Sequence, residues 1–196
     1  MSTSQHDDQD DLAPTQTTGY KVGQLKSVED YKNLDANDES LNRWKASLGL
    51  DKAAATENNG PKITVLTLFL ESDTLPPGKT LSLDPNDTPL NWKSTRKSLS
   101  VLKKVSSTVN HTIATGIRYI QVVKRAGIKL DKFEQMLGSF APAADGKPYV
   151  KPFDPEESPS GILARSGTYS VRSRVIDDDN NIYCDFEWAF KITKEW

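Results

Sequence analysis

The chain has 196 residues and a mass of 21.8 kDa, with 36% hydrophobic and 27% charged residues, which suits one domain with an appendage or two small domains. Its net charge of −2 disfavours a protein that binds nucleic acid through its whole surface. A single cysteine, Cys184, excludes an internal disulfide framework. No apolar run approaches the roughly 20 residues of a membrane span, and no signal peptide is recognisable. We therefore expect a cytoplasmic protein.

The first 60 residues differ from the rest of the chain in charge. Residues 1–60 carry 11 acidic and 6 basic side chains, whereas residues 61–196 carry 16 acidic and 19 basic ones. Residues 1–19 hold almost no large apolar side chains, so burial cannot offset the entropy lost on ordering them. We predict a flexible arm over residues 1–60, disordered through residue 25, followed by one folded domain.

Residues 27–50 predict two short helices that form a hairpin when bound to a partner. Ser27 and Asp30 have the form of a capping box, and Asn37 or Asp38 can cap the second helix. An apolar stripe and a glycine stop follow at Leu41, Trp44, Leu48 and Gly49. Helices this short are marginal alone in water, so the stripe needs a surface. The sequence leaves open whether that surface is the protein's own domain or a partner.

Residues 61–196 predict strands throughout. In the last strand, Ile182, Cys184, Phe186, Trp188, Phe190 and Ile192 alternate with polar residues. Further strands are predicted at 169–175, 63–70, 80–83 and 117–130, the last one broken at Gly127. Many short strands with proline and glycine between them and no helical period predict an all-β sandwich.

Residue types that carry catalysis are sparse. His6 lies in the polar tail, and His111 has no second ligand at metal spacing. Cys184 lies on an apolar strand face, which favours a buried thiol without reactivity. The aspartate run at 177–179 lacks the glycine and the final glutamate of an EF-hand loop. We predict neither an enzyme nor a metal or cofactor site. Composition leaves open whether the sandwich interior is a plain core or holds a ligand.

Several strings match the motifs of one known family. Residues 34–41 (LDANDESL) with Trp44-Lys45 correspond to an N-terminal arm. The body supplies further matches in family order: residues 116–121 (GIRYIQ), 124–128 (KRAGI), 136–142 (MLGSFAP), 159–165 (PSGILAR), 176–179 (IDDD) and 188–196. Together these strings resemble the Rho GDP-dissociation inhibitors, in particular fungal members, over about residues 20–196.

The resemblance implies an immunoglobulin-like β-sandwich whose two sheets enclose a geranylgeranyl group. It also implies an arm that clamps the switch regions of a prenylated Rho-family GTPase, preferentially in the GDP form, so that GDP release slows. The partner would be extracted from the membrane in a 1:1 complex with a monomer, with only transient membrane contact. No cofactor and no nucleic acid are implied.

Two sets of site residues follow from the resemblance. The GTPase contacts are Tyr20, Asp38, Glu39, Ser40 and Asp179. The prenyl pocket is lined by Leu48, Leu68, Ile113, Tyr119, Phe186 and Trp188, with Leu48 of the arm closing the mouth. Each residue has an alternative: Asp38 as a helix cap only, Asp179 as an exposed turn residue, and the apolar residues as ordinary core.

One stretch departs from the family pattern. Residues 93–108 lack the family's Lys-Glu-Gly-like turn, and Ser107 stands where an aromatic residue is usual. Such a change alters part of one pocket wall, or reflects an error in the gene sequence. The competing function is a prenyl-binding carrier without control of nucleotide exchange, and the arm motif at 35–41 argues against it. An adhesion domain of the same fold class would carry a secretory signal or a disulfide.

Overall fold

A computed structural model describes residues 11–15, 18–21, 23–24, 26–52, 60–71, 76–77, 81–85, 90–96, 100–154, 156–157 and 167–193. Its strands are β1 (Ile63–Glu71), β2 (Leu81–Leu83), β3 (Leu90–Arg96), β4 (Ser100–Val109), β5 (Ala114–Arg125), β6 (Ile128–Phe140), β7 (Tyr149–Pro152), β8 (Glu156–Glu157), β9 (Thr168–Ile176) and β10 (Ile182–Thr193).

The strands form two sheets. The first sheet has the order β2-β1-β4-β7, with β8 also paired to β4, and the second has the order β3-β10-β9-β5-β6. The described pairs are antiparallel except β3 with β10, which run parallel. The prediction of an all-β sandwich is confirmed. Its finer assignment as immunoglobulin-like stays a prediction.

The main core lies between the two sheets. Most of it is built from alternate residues of β1, β5, β9 and β10, because successive side chains of a strand point to opposite faces. Its largest buried members are Leu68, Ile117, Tyr119, Phe153, Tyr169, Phe186 and Trp188. In β9, Tyr169, Val171, Ser173 and Val175 are all buried, as the period of two predicts.

The β5–β6 hairpin confirms the break predicted at Gly127. Arg125 pairs with Ile128, which leaves Ala126 and Gly127 as a two-residue turn. Both turn residues have positive φ, 49° and 79°, the backbone that a tight hairpin requires. The predicted strand at 117–130 is therefore two strands, and the second continues to Phe140.

The first residue of β10 departs from the predicted alternation. A register shift lies between Ile182 and Cys184 in the pairing of β10 with β9. Such a bulge moves the residues before it to the other face of the sheet. Ile182 is 52% exposed, whereas Phe186 and Trp188 are buried. The predicted inward position of Ile182 is wrong.

The stretch that departs from the family pattern still contributes strands. Residues 93–96 end β3, and residues 100–108 belong to β4. Ser107, where an aromatic residue is usual, pairs with Val65 of β1 and with Tyr149 of β7. The sheet pairing of β4 therefore continues through the altered sequence.

Two helices form in the arm, α1 (Val28–Asn33) and α2 (Glu39–Ser47), followed by a 3₁₀ turn (Leu50–Lys52). The capping box is present, because the Ser27 hydroxyl accepts from the Asp30 N–H and the Asp30 carboxylate accepts from the Ser27 N–H. Gly49 follows α2 with φ 70°, as a helix stop requires. Lys45 joins the two helices, since its Nζ donates to the backbone carbonyl oxygens of Lys32 and Leu34.

Candidate functional site

The arm packs on one end of the sandwich through a second apolar cluster, which we name the arm–sandwich cluster. Its buried members are Val28, Leu50, Ile113 and Ala141, with Tyr31, Trp44 and Leu48 packed against them. Thr112 adds a polar contact, because its hydroxyl donates to the carbonyl oxygen of Lys26 at 3.1 Å. The sandwich itself therefore provides a surface for the helical stripe.

The residues predicted to line the prenyl pocket divide between two clusters. Leu68, Tyr119, Phe186 and Trp188 belong to the main core. Ile113 and Leu48 belong to the arm–sandwich cluster at the end of the sandwich. Leu48 thus lies near Ile113, where a mouth closed by the arm would be. Their role as a lipid pocket stays a prediction, because the same side chains also serve as core.

A row of hydrogen bonds runs across the inner face of the second sheet and includes two of these residues, Tyr119 and Trp188. Trp188 Nε1 donates to Ser173 Oγ at 2.9 Å, and Ser173 Oγ lies 2.8 Å from the Tyr119 hydroxyl. The Tyr119 hydroxyl donates to Gln121 Oε1 at 2.9 Å. Buried polar groups are costly unless paired. These hydrogen bonds fix the rings of Tyr119 and Trp188, which pack against Phe153 and Phe190 with ring centroids 4.6 and 5.7 Å apart.

Two of the predicted GTPase contacts touch each other. The Tyr20 hydroxyl donates to Asp179 Oδ1 at 2.7 Å, across 159 positions of sequence. Asp179 is held by the turn between β9 and β10, where the Asp177 carboxylate accepts from the N–H groups of Asp179 and Asn181 and from the Tyr183 hydroxyl. The body therefore orders the aspartate that meets the arm.

The hydrogen bond to Asp179 raises the pKa of Tyr20 to about 12, with smaller contributions from burial and from the charges of Asp177–Asp179. Because the pKa of Tyr20 is raised from its ordinary value of 10.0, the contact stabilises the docked arm fully below pH 10. That contribution is lost as the pH rises through 12, where the tyrosine ionises. We expect an NMR titration of the Tyr20 ring to give a pKa about 2 higher than that of a tyrosine peptide. In Asp179→Asn the value should return toward 10; an unchanged value would contradict the contact.

The remaining predicted contacts lie at the start of α2. Asp38 Oδ1 accepts hydrogen bonds from the N–H groups of Ser40 and Leu41 at 2.8 and 3.0 Å, so Asp38 is the N-cap. Asp38, Glu39 and Ser40 are all exposed. The sequence prediction that Asp38 caps the helix is confirmed. Its second role, as a contact to the GTPase, stays a prediction.

An ion-pair chain supports the Asp177–Asp179 turn from the side. Arg118 bonds Asp178 Oδ1 through Nε at 3.0 Å and Glu134 Oε1 through its Nη1 at 3.0 Å. Gly116 has φ 65°, and a Cβ on it would overlap the Asp178 carboxylate. Position 116 therefore requires glycine for two reasons: its φ is positive, and the Asp178 carboxylate approaches it closely.

The described residues offer little reactive chemistry. Burial and the nearby charges of Asp185 and Asp84 raise the pKa of the Cys184 thiol to about 12, so it stays protonated at neutral pH. Within the described part of the chain, no group of three His, Cys, Asp or Glu side chains is placed to hold a metal ion. In the same residues, no helix is long and apolar enough to cross a membrane.

Sequence reasoning missed three residues that organise the site. Leu50 is fully buried in the arm–sandwich cluster, although Leu48 was the predicted contact. Ser173 joins Trp188 to Tyr119, although its sequence signal is only that of one position in an alternating strand. Leu12 is buried against the second sheet, inside a tail predicted to be disordered. An isolated apolar residue in a polar segment carries no periodic signal, so only Leu50, next to the glycine stop, could have been found.

The fold and the site together define a β-sandwich with a helical arm packed across one end. A family model described as RHO protein GDP dissociation inhibitor matches residues 3–195. The chain is 41% identical to the Rho GDP-dissociation inhibitor of Saccharomyces cerevisiae, over 90% of this chain and 91% of that protein. It is 36% identical to Rho GDP-dissociation inhibitor 1 of Bos taurus, over 92% and 88% of the two chains. For Rho GDP-dissociation inhibitor 1 of Arabidopsis thaliana the identity is 32%, over 90% and 73%. The chain belongs to the Rho GDP-dissociation inhibitor family.

Proposed function

We propose that this protein binds prenylated Rho-family GTPases in their GDP form, slows GDP release and shelters the geranylgeranyl group. It acts as a cytoplasmic monomer in a 1:1 complex and removes the GTPase from the membrane. The proposal makes it a regulatory binding protein, in which no bond is made or broken.

One observation carries the proposal beyond family membership. The arm lies on the end of the sandwich through the arm–sandwich cluster, and it presents Asp38, Glu39 and Ser40 at the exposed start of α2. A GTPase held there would meet helix α2 while its lipid lies next to the sandwich. A clamp on the switch regions makes opening of the nucleotide site more costly, so GDP stays bound.

The lipid part of the proposal depends on burial. A prenyl chain in water costs about 0.8 kcal/mol for each CH₂-sized unit, and this cost drives it into a membrane. Leu68, Phe186 and Trp188 offer an apolar environment between the sheets, and the Trp188 N–H is already paired with Ser173. A hydrocarbon chain placed beside Trp188 would therefore not leave that donor unpaired.

The direct test is the release of fluorescent GDP from a geranylgeranylated Rho-family GTPase, with and without the protein. We expect release to slow in proportion to the complex formed, and the unprenylated GTPase to bind much more weakly. A protein that binds the prenylated GTPase and leaves GDP release unchanged would instead be a prenyl carrier, the competing function.

Substitutions at Asp38 separate its two roles. Asp38→Ala removes the cap and should cost about 1 kcal/mol of helix stability. Asp38→Asn keeps a side-chain oxygen that caps nearly as well as aspartate, but removes the charge. If Asp38 contacts the GTPase through its carboxylate, both variants weaken inhibition of GDP release. If Asn restores full inhibition, Asp38 acts as a cap only.

A further inference from the structure

The outer face of the second sheet is covered. A sheet of a two-layer sandwich ordinarily packs one face on the core and turns the other to water. In β5, however, Ile120 and Val122 are 0% and 3% exposed, although they alternate with the core residues Tyr119 and Val123. Ile176 of β9 is 3% exposed as well. These three outward residues form an apolar cluster that does not belong to the main core.

Leu12 covers this apolar cluster. Its side chain is 1% exposed and packs with Ile120, Val122 and Ile176. We name residues 11–15 the docked segment. Burying a leucine side chain in this way contributes about 1.5–3 kcal/mol relative to leaving it in water, so the contact favours attachment of the docked segment to the sheet.

Polar contacts hold the docked segment along its length. Thr15 donates to Glu134 twice, from its backbone N–H to Oε1 and from its hydroxyl to Oε2, both at 2.9 Å. Arg174 Nη1 donates to the carbonyl oxygen of Leu12 at 3.3 Å. Lys132 Nζ donates to the carbonyl oxygen of Ala13 at 3.4 Å, and Lys129 pairs with Asp11.

Glu134 carries a negative charge where it meets Thr15. Burial acts to raise its pKa, but the hydrogen bonds from Thr15 and Arg118 and the charge of Lys132 outweigh that effect, so the net shift of the pKa is downward. Glu134 is therefore ionised at neutral pH, and a carboxylate is a strong acceptor for the N–H and hydroxyl of one threonine.

We propose that residues 11–15 anchor the N-terminal end of the arm to the outer face of the second sheet, so that the arm is a loop held at both ends. The other end is fixed where β1 begins at Ile63. Tyr20 lies five residues after Thr15, and five residues span at most about 17 Å. The anchor thus limits how far Tyr20 can move from Asp179, to which the Tyr20 hydroxyl donates a hydrogen bond.

The anchor has a consequence for binding, and this step rests on the proposed function. A tethered loop has fewer conformations to lose when it is ordered on a partner, so part of the entropic cost of the complex is met before binding. Releasing the anchor should therefore weaken inhibition of GDP release without touching helix α2 or the predicted prenyl pocket.

The test uses the full chain in three forms. Leu12→Asp places a charge in the apolar cluster, and Thr15→Glu places a carboxylate against Glu134. Thr18→Ala, at an exposed position three residues on, is the matched control. In the wild type and the control we expect methyl contacts in NMR spectra between Leu12 and Ile120, Val122 or Ile176. The backbone order parameter at residue 15 should be near 0.85 when docked and should fall below about 0.6 in both charged variants. An absence of these methyl contacts in the wild type would overturn the anchor.

The second measurement is the inhibition constant for GDP release. We expect Leu12→Asp and Thr15→Glu to raise it about fivefold or more, and Thr18→Ala to leave it within about twofold. Charged variants in which the order parameter at residue 15 falls below about 0.6 and which still inhibit like the wild type would show that the anchor has no part in binding. If the wild type itself does not slow GDP release, the proposed function fails, while the methyl contacts still decide whether the segment is anchored.

Discussion

Leu50→Ala is expected to detach the arm and to weaken inhibition of GDP release by roughly 30-fold or more. Leu50 is 0% exposed in the arm–sandwich cluster, and truncating a buried leucine costs about 2–5 kcal/mol. Because Leu50 joins the arm to the sandwich and lies outside the main core, the loss falls on docking of the arm and leaves global unfolding little changed. A cost of about 2 kcal/mol already corresponds to roughly 30-fold in an equilibrium.

The neighbouring residue supplies the control for this prediction. Asp51 is exposed in the same 3₁₀ turn, so Asp51→Ala changes the chain at nearly the same place without removing buried surface. We expect Asp51→Ala to inhibit like the wild type, and both variants to melt at temperatures close to it. Trp44 packs on the same cluster, so its fluorescence should shift toward that of an exposed indole in Leu50→Ala alone. Normal inhibition by a variant with an exposed Trp44 would contradict the prediction.

The elements that could be predicted from the sequence are those with local causes. The capping box of Ser27 and Asp30, the cap at Asp38 and the stop at Gly49 depend on side chains within a few residues of the backbone groups that they satisfy. The alternation from Cys184 to Phe190 depends only on one strand face meeting the core. Such patterns do not require knowledge of what the segment contacts.

The features that escaped prediction have non-local causes. Ile182 is exposed because of a bulge in its pairing with β9, and a bulge is decided by two strands together. β5 carries buried apolar residues on both faces, and Leu12, more than 100 residues earlier in the chain, packs on the outer one. Leu12 itself has no large aliphatic or aromatic neighbour at strand or helix spacing. The candidate site was located through the family resemblance, since its apolar residues have the composition of any core.

The largest effect on lipid binding is expected from Ile113→Trp. Ile113 is 5% exposed in the arm–sandwich cluster, in contact with the arm and directly before β5. If the geranylgeranyl chain enters between the sheets at this end, the larger ring occupies space that the lipid needs. Excluding about five carbons at about 0.8 kcal/mol each would cost about 4 kcal/mol, so binding of a geranylgeranylated peptide should weaken by roughly a thousandfold. A competition assay with a fluorescent prenyl peptide measures this directly.

Ile113→Val is the matched control, because it removes one methylene, typically costs about 0.5–1.5 kcal/mol and blocks nothing. Two readings of Ile113 then separate. If Ile113 is part of the pocket mouth, the Ile113→Trp protein loses lipid binding in the peptide assay, where no GTPase contact contributes. If Ile113 serves only in the attachment of the arm, the tryptophan overpacks against Val28 and Leu50 and the arm detaches. Inhibition of GDP release then falls, while the prenyl peptide binds normally. That second outcome would place the lipid elsewhere in the sandwich and leave Ile113 with the role that Leu50 has.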